Sequence, residues 1–248
     1  MKLKFFTAFM ALLIAVETFF VVKIHASSGT NIPVPNTSIS VGVLQVQVET
    51  YQERINTAME MIELALKLDY DFNHPVVKIA RQEIQNSQRE KEYYEELLEI
   101  ENQKWEKRME EYPAATEIWL YLKNLGYSDY VCAGILGNIM TEVGGQTLNI
   151  QYWLSNAYYG MCQWSKGYGE VWGKDLNGQL DFLAKTIQYE FDTYGNKYQK
   201  GFNFEKFLAL EDEQEAAKAF AKCYERCGSF SYTARKSNAK KAFKYFTE

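Results

Sequence analysis

Histidine is nearly absent from this chain. His25 and His74 are the only two among 248 residues, and none follows position 74. From residue 75 onward no imidazole can serve as a general base, which excludes a cysteine peptidase of the Cys-His kind. No stretch gathers Cys, His and carboxylates at metal-ligand spacing, so no metal and no cofactor is expected. A surplus of positive charge is also missing: the formal net charge is -5, which argues against nucleic acid as the main partner. Long apolar runs are confined to the N-terminus, where Lys2 and Lys4 precede Phe5 to Val16 and Ile24-His25-Ala26 offers a cleavage site. Residues 1–26 therefore read as a secretory signal, and Glu17 within the apolar run weakens the alternative of a permanent N-terminal anchor. The remainder is expected outside the cytoplasm, touching a membrane only through an uncleaved N-terminus.

Cysteine is sparse but even in number. Cys132, Cys162, Cys223 and Cys227 permit two disulfides in three connectivities in an oxidising compartment. Cys223 and Cys227 are close enough in sequence to pair locally, whereas Cys162 suits a buried thiol.

What is abundant is core-forming material, with 47% hydrophobic and 15% aromatic residues. Residues 27–42 carry Pro33, Pro35, Gly29 and several Ser, Thr and Asn, the composition of a linker. Residues 43–112 form a helical stalk in this reading. Leu44, Val48, Tyr51, Ile55, Ala58, Ile62 and Ala65 recur at steps of three and four, the seam of a helix that packs on another. Asp71 to Pro75 breaks the pattern, with Asn73 as cap, Pro75 in a first turn and His74 at the helix start rather than on a metal. A second helix to about Met109 carries Ile79, Ile84, Tyr94, Leu98 and Trp105 among many charges. Such a hairpin or coiled coil is either a spacer that meets a partner or a solvated helix pair.

Residues 113–248 read as one domain. Ala114 to Leu125 is amphipathic, with Ile118, Trp119, Leu122 and Leu125 on one side, and Ser128 can cap the next helix. In that helix Ile135, Leu136, Ile139 and Met140 are core-spaced, while Gly134 and Gly137 allow a neighbour to approach closely. Gly144-Gly145 stops it, leaving Glu142 as the carboxylate at the end of an apolar helix. A carboxyl half out of water among apolar side chains favours its protonated form, as a general acid requires. From spacing alone, the competing reading is a solvated surface group.

The order Ala133-Gly-Ile-Leu-Gly-Asn138, then Glu142, then Tyr159-Gly-Met-Cys-Gln-Trp164 resembles the phage-tail lysozyme family, a branch of the lysozyme-like, lytic-transglycosylase-like fold. The likeness continues through Gln179 to Leu183, Glu190-Phe191 and Phe220 to Arg226, and covers roughly Ala114 to Phe246. It implies a mainly α lysozyme-like domain with a small β-hairpin. The implied activity is that of a glycosidase (lysozyme) or lytic transglycosylase, cutting the β-1,4 bond between N-acetylmuramic acid and N-acetylglucosamine in peptidoglycan. Glu142 takes the catalytic place. Gln163 stands opposite it as a substrate-binding amide, with Tyr159, Trp164 and Trp153 as aromatic candidates for sugar contact. Gln146 to Ala157, with Gln151, Tyr152 and Asn156, would line the cleft.

The resemblance departs at Val143, where Ser is commoner, and at Cys227-Gly228, where proline is more frequent. Asp181 and Glu190 are the candidates for a second carboxylate, read as structural by default. Arg235, Lys236, Lys240, Lys241 and Lys244 read as a basic, solvated face. The expected partners are peptidoglycan glycan strands and, through the stalk, an envelope or secretion-apparatus protein. A non-catalytic wall-binding module or a structural component of an envelope-spanning apparatus is the alternative.

Overall fold

A computed structural model describes residues 41–155 and 157–248. The signal read at 1–26, most of the linker and Asn156 lie outside the described residues; Val41 and Gly42, assigned to the linker, open the first helix. Residues up to Asn102 and from Gln103 onward form two compact units, each described by itself.

The first unit holds α1 (Val41–Lys67) and most of α2 (Pro75–Glu111). Leu44, Ile55, Ala58 and Ala65 of the predicted seam are buried, and the other three seam residues are half-covered. Two cross-helix contacts fix the pairing. Tyr51 stacks on Tyr94 with ring centres 5.7 Å apart, and Arg54 pairs with Glu83 at 2.7 Å. That ion pair is half open to water and contributes about 1 kcal/mol at most. On α2 the fully buried residues are Val77, Ala80 and Ser87; of the expected positions Ile84, Tyr94, Leu98 and Trp105 are half-covered, whereas Ile79 is 47% exposed. The cap is His74, not Asn73: its Nδ1 accepts from Val76 N and its ring stacks on Tyr70.

The second unit begins with the last turns of α2. Trp105 stacks on Phe246, and Arg108 donates to the Tyr245 carbonyl at 3.1 Å. The break between units therefore comes after Asn102, ten residues before the boundary expected at 112. Next come α3 (Pro113–Asn124) and α4 (Asp129–Val143), then a two-stranded antiparallel hairpin, β1 (Tyr158–Tyr159) and β2 (Trp164–Ser165). Four helices complete it: α5 (Leu176–Tyr194), α6 (Phe204–Leu208), α7 (Glu213–Phe220) and α8 (Tyr232–Thr247). Ile118, Trp119 and Leu122 of α3 are buried as expected, but Leu125 is 43% exposed because the helix ends at Asn124.

Helix α4 is the centre of this unit, and every residue from Val131 to Met140 is buried. It packs chiefly on α7 and α8. The closeness depends on its two glycines. A Cβ on Gly134 would come within 2.6 Å of Ala216 Cβ, and one on Gly137 within 2.4 Å of the Ala239 backbone nitrogen. Around α4 lie Phe191, Phe207 and Phe220, all fully buried, and Trp119 stacked on Phe246 at 4.5 Å. Burying one such side chain is worth about 1.5–3 kcal/mol.

Candidate active site

The site forms at the C-terminal end of α4. Ser128 caps the start, accepting from Val131 N, so the helix begins where expected. At its end Gly145 takes the left-handed conformation at φ 57°, and Gln146 N returns to the Met140 carbonyl. Glu142 lies in this last turn with its side chain 23% exposed. Its neighbour is not the apolar wall anticipated above. Arg235 of α8 donates from Nη2 to Glu142 Oε1 and from Nη1 to Asn138 Oδ1 at 2.7 Å, and its Nε reaches Ser231 Oγ.

Asn138 is itself buried and saturated. Its Nδ2 donates to the carbonyls of Gly134 and Ala217, so one amide ties α4 to α7 and holds the guanidinium that holds Glu142. Beside it, Asn238 of α8 donates to Thr141 of α4 at 3.0 Å. The reading of Arg235 as part of a solvated basic face is overturned: it is 2% exposed. A signal was present, because Arg235 shares its helical register with Ala239, Ala242 and Phe246, all buried.

A second carboxyl faces this cluster. After Phe220 the helix continues as a π-helical turn, Ala221–Glu225, and Arg226 follows in the left-handed region at φ 54°. Single π turns recur at functional sites because they re-aim side chains. Glu225 as a whole is half-covered, yet its Oε1 is out of water and has no hydrogen-bond partner. Burial pushes its carboxyl up to about 8; the charge of Glu142 acts in the same direction, against Arg235, the Cys162 thiol and Arg226. Burial likewise raises the Cys162 thiol well above its ordinary range, so it stays a neutral thiol. All four cysteines are free, with Cys132, Cys162 and Cys223 buried, so neither disulfide forms.

Glu225 also lines a cavity of about 120 Å³, together with Gln163, Trp164, Tyr168, Glu190 and Arg226. Arg226 donates to the Tyr168 hydroxyl at 2.6 Å and Tyr168 donates to Glu190 Oε1 at 3.3 Å. Arg226 also stands 3.5 Å from Glu190 Oε2, which makes Glu190 one end of a polar chain in the wall. Asp181 lies elsewhere and accepts from Tyr121 at 2.7 Å.

The other expected site residues divide. Gln163 is in the cavity wall with φ 48°, its Nε2 donating to the Gly160 carbonyl; Glu142 is not among the lining residues. Trp164 lines the cavity edge but is 5% exposed, its Nε1 bonded to the Tyr224 hydroxyl. Tyr159 is packed on Trp172 and donates to the Lys174 carbonyl. Trp153 is 59% exposed, set edge-on to Tyr152.

The loop bearing Gly160 to Gln163 is held by Gln179, a fully buried amide on α5. Its Oε1 accepts from Met161 N, and its Nε2 donates to the carbonyls of Tyr152 and Lys174. Gly160, at φ 76°, would press a Cβ to 2.5 Å from that Oε1, so glycine is required twice over there. Among the described residues no group of three or more His, Cys, Asp or Glu could hold a metal ion.

Comparison with curated proteins and with solved structures gives no match. The model of one family, phage tail lysozyme, matches residues 113–246, a span that contains Glu142, the hairpin, Glu225 and Arg235. With more than half of its length matched in this way, the chain belongs to the phage tail lysozyme family.

Proposed function

We propose that the chain cleaves peptidoglycan as a muramidase, with Glu142 as the general acid at the β-1,4 bond between N-acetylmuramic acid and N-acetylglucosamine. The observation that carries this reading is the setting of Glu142. It is partly open to solvent at the end of an otherwise buried helix, and it is aimed by a guanidinium that is itself held by Asn138 and Ser231. An acid that must meet a glycosidic oxygen needs that combination of access and fixed direction. Once Glu142 has given up its proton, Arg235 stabilises the carboxylate left behind. Gln163 is proposed as the substrate-binding amide, with Trp164 and Tyr159 shaping the wall and Trp153 offering an open ring for a sugar face.

Incubation of the chain with purified peptidoglycan, followed by mass spectrometry of soluble products, tests the reading. Muropeptides with reducing ends would make it a lysozyme, and anhydro ends a lytic transglycosylase. Co-sedimentation with the wall and no product would favour the non-catalytic binder. The ion pair that Glu142 makes in the free chain is the observation on that side. The signal read at the N-terminus supports action outside the cytoplasm. The helix pair at 41–111 is proposed as the spacer through which an envelope protein is met.

A further inference from the structure

We infer that the cavity between the hairpin and the π turn is a recognition site for a primary ammonium group. The inference rests on the muramidase reading only for the source of that group; the site itself is read from its walls. Among the described residues, two buried side-chain oxygens have no hydrogen-bond partner, Glu190 Oε2 and Glu225 Oε1. Both belong to residues that line this one cavity. Buried polar atoms are otherwise almost always paired, so two such atoms in one wall point to a partner from outside the chain. Both are acceptors, and that partner must therefore donate.

The charges of the wall narrow the donor further. Glu190 of α5 is 6% exposed, and Arg226 stands 3.5 Å from its Oε2, an ion pair too long for a hydrogen bond. Arg226 turns its other terminal nitrogen to the Tyr168 hydroxyl at 2.6 Å. It is the one Lys or Arg in the lining, set against the two carboxyls of Glu190 and Glu225. A hydroxyl would satisfy one oxygen and leave that imbalance, whereas a primary ammonium brings three donors and a positive charge together. Burial holds the Glu225 carboxyl up to about 8 in the free chain, and a cation beside it would favour its ionised form. Gln163 adds an amide to the same wall, and Trp164, Tyr168 and Tyr224 add aromatic rings, whose faces attract cations.

The backbone is bent to build this wall. Gln163 at φ 48° and Arg226 at φ 54° are two of the four non-glycine residues in the left-handed region, and both line the cavity. One comes from the hairpin and the other from the end of the π turn, and strained backbone of this kind collects at ligand sites. Tyr158, also in the lining, is 53% exposed, which sets one side of the cavity at the surface. A volume of about 120 Å³ admits the end of an aminoalkyl chain. Peptidoglycan presents primary amines in two forms: the side-chain amine of an uncross-linked diamino acid, and the 2-amine of a glucosamine without its acetyl group. Glu142 is not in the lining, so the amine would be read beside the acid and would set where on the wall the chain acts.

Titration of the full chain with two soluble amines, followed by calorimetry, tests the site. The probes are Nα-acetyl-lysine amide and the trisaccharide of glucosamine, each run against its fully N-acetylated form. At least one free amine should bind about tenfold or more tighter than its acetylated form, and the amine preferred names the source. Glu190→Gln, which keeps the shape but not the charge, should abolish that preference. No binding of either amine, equal binding of free and acetylated probes, or a preference that survives in folded Glu190→Gln overturns the inference. The comparison of probes needs no variant, so it decides the matter even where Glu190→Gln fails to fold. Because no bond is cut, the result is separate from the muramidase reading. Amine binding by a chain that releases no wall products sustains the site and refutes that reading; wall cleavage by a chain that ignores both amines does the reverse.

Discussion

Arg235 of α8 reaches across to Glu142 of α4, and it does so from a position that is almost fully buried. A buried guanidinium that has lost its carboxylate is costly, and so is the reverse. Arg235→Met should therefore lower stability by about 3–5 kcal/mol, while Arg235→Lys should lose less. Urea unfolding of the purified variants measures both. Equal and small losses would show that the contact contributes nothing to the fold.

Glu142→Gln keeps the shape of the side chain and can still accept from Arg235, but it has no proton to give. Loss of general acid catalysis should cost on the order of a hundredfold or more in wall clearing, in a chain that still folds but melts lower because Arg235 has lost its charged partner. Turbidity loss at the wild-type rate would remove Glu142 from the catalytic role.

Gln163→Ala removes an amide that already uses its Nε2 on the Gly160 carbonyl. If its oxygen serves the substrate, activity should fall clearly but by less than in Glu142→Gln, at roughly 1 kcal/mol per lost hydrogen bond. A large drop in melting temperature with full specific activity would make it a loop brace alone.

Gly137→Ala probes the core of the architecture. The added Cβ would meet the Ala239 backbone at 2.4 Å, a contact that no side-chain rotation relieves. A loss of about 1–3 kcal/mol is expected. Gly42→Ala, with nothing within 4 Å, is the control and should be neutral or mildly stabilising. Matching effects at the two positions would contradict the close approach of α4 and α8.

The start of the second unit is also testable. A chain beginning at Pro113 lacks Trp105, stacked on Phe246, and Arg108, bonded to the Tyr245 carbonyl. It should fold, yet be less stable than a chain beginning at Gln103 by about 1–3 kcal/mol. Thermal melts of the two, with clearing assays beside them, give the comparison. Equal melting temperatures would place the boundary back at residue 112.

Much of the architecture could be read from local pattern. The seam of α1, the cap at Ser128, the stop at Gly145 and the core spacing of Leu180, Leu183, Ile187 and Phe191 follow from helical periodicity and glycine's access to positive φ. These are short-range effects, set within a few residues. The place of Glu142 was legible for the same reason, since a helix end is a local event; its proposed catalytic role came from the likeness to the family and not from spacing.

The environment of Glu142 was not legible, because every group that shapes it arrives from far along the chain. Arg235 looked like one more cation in a basic helix; only the packing of α8 onto the glycines of α4 takes it out of water and turns it towards Asn138 and Glu142. Glu225 stood in the sequence only as part of the stretch Phe220 to Arg226, and the π turn that places it is not visible there. Periodicity determined which helices form and which faces they bury. Charge pairing depends on distance and desolvation, which arise only when α4, α7 and α8 close on one another, and so the tertiary structure decided that Glu142 faces the buried guanidinium of Arg235.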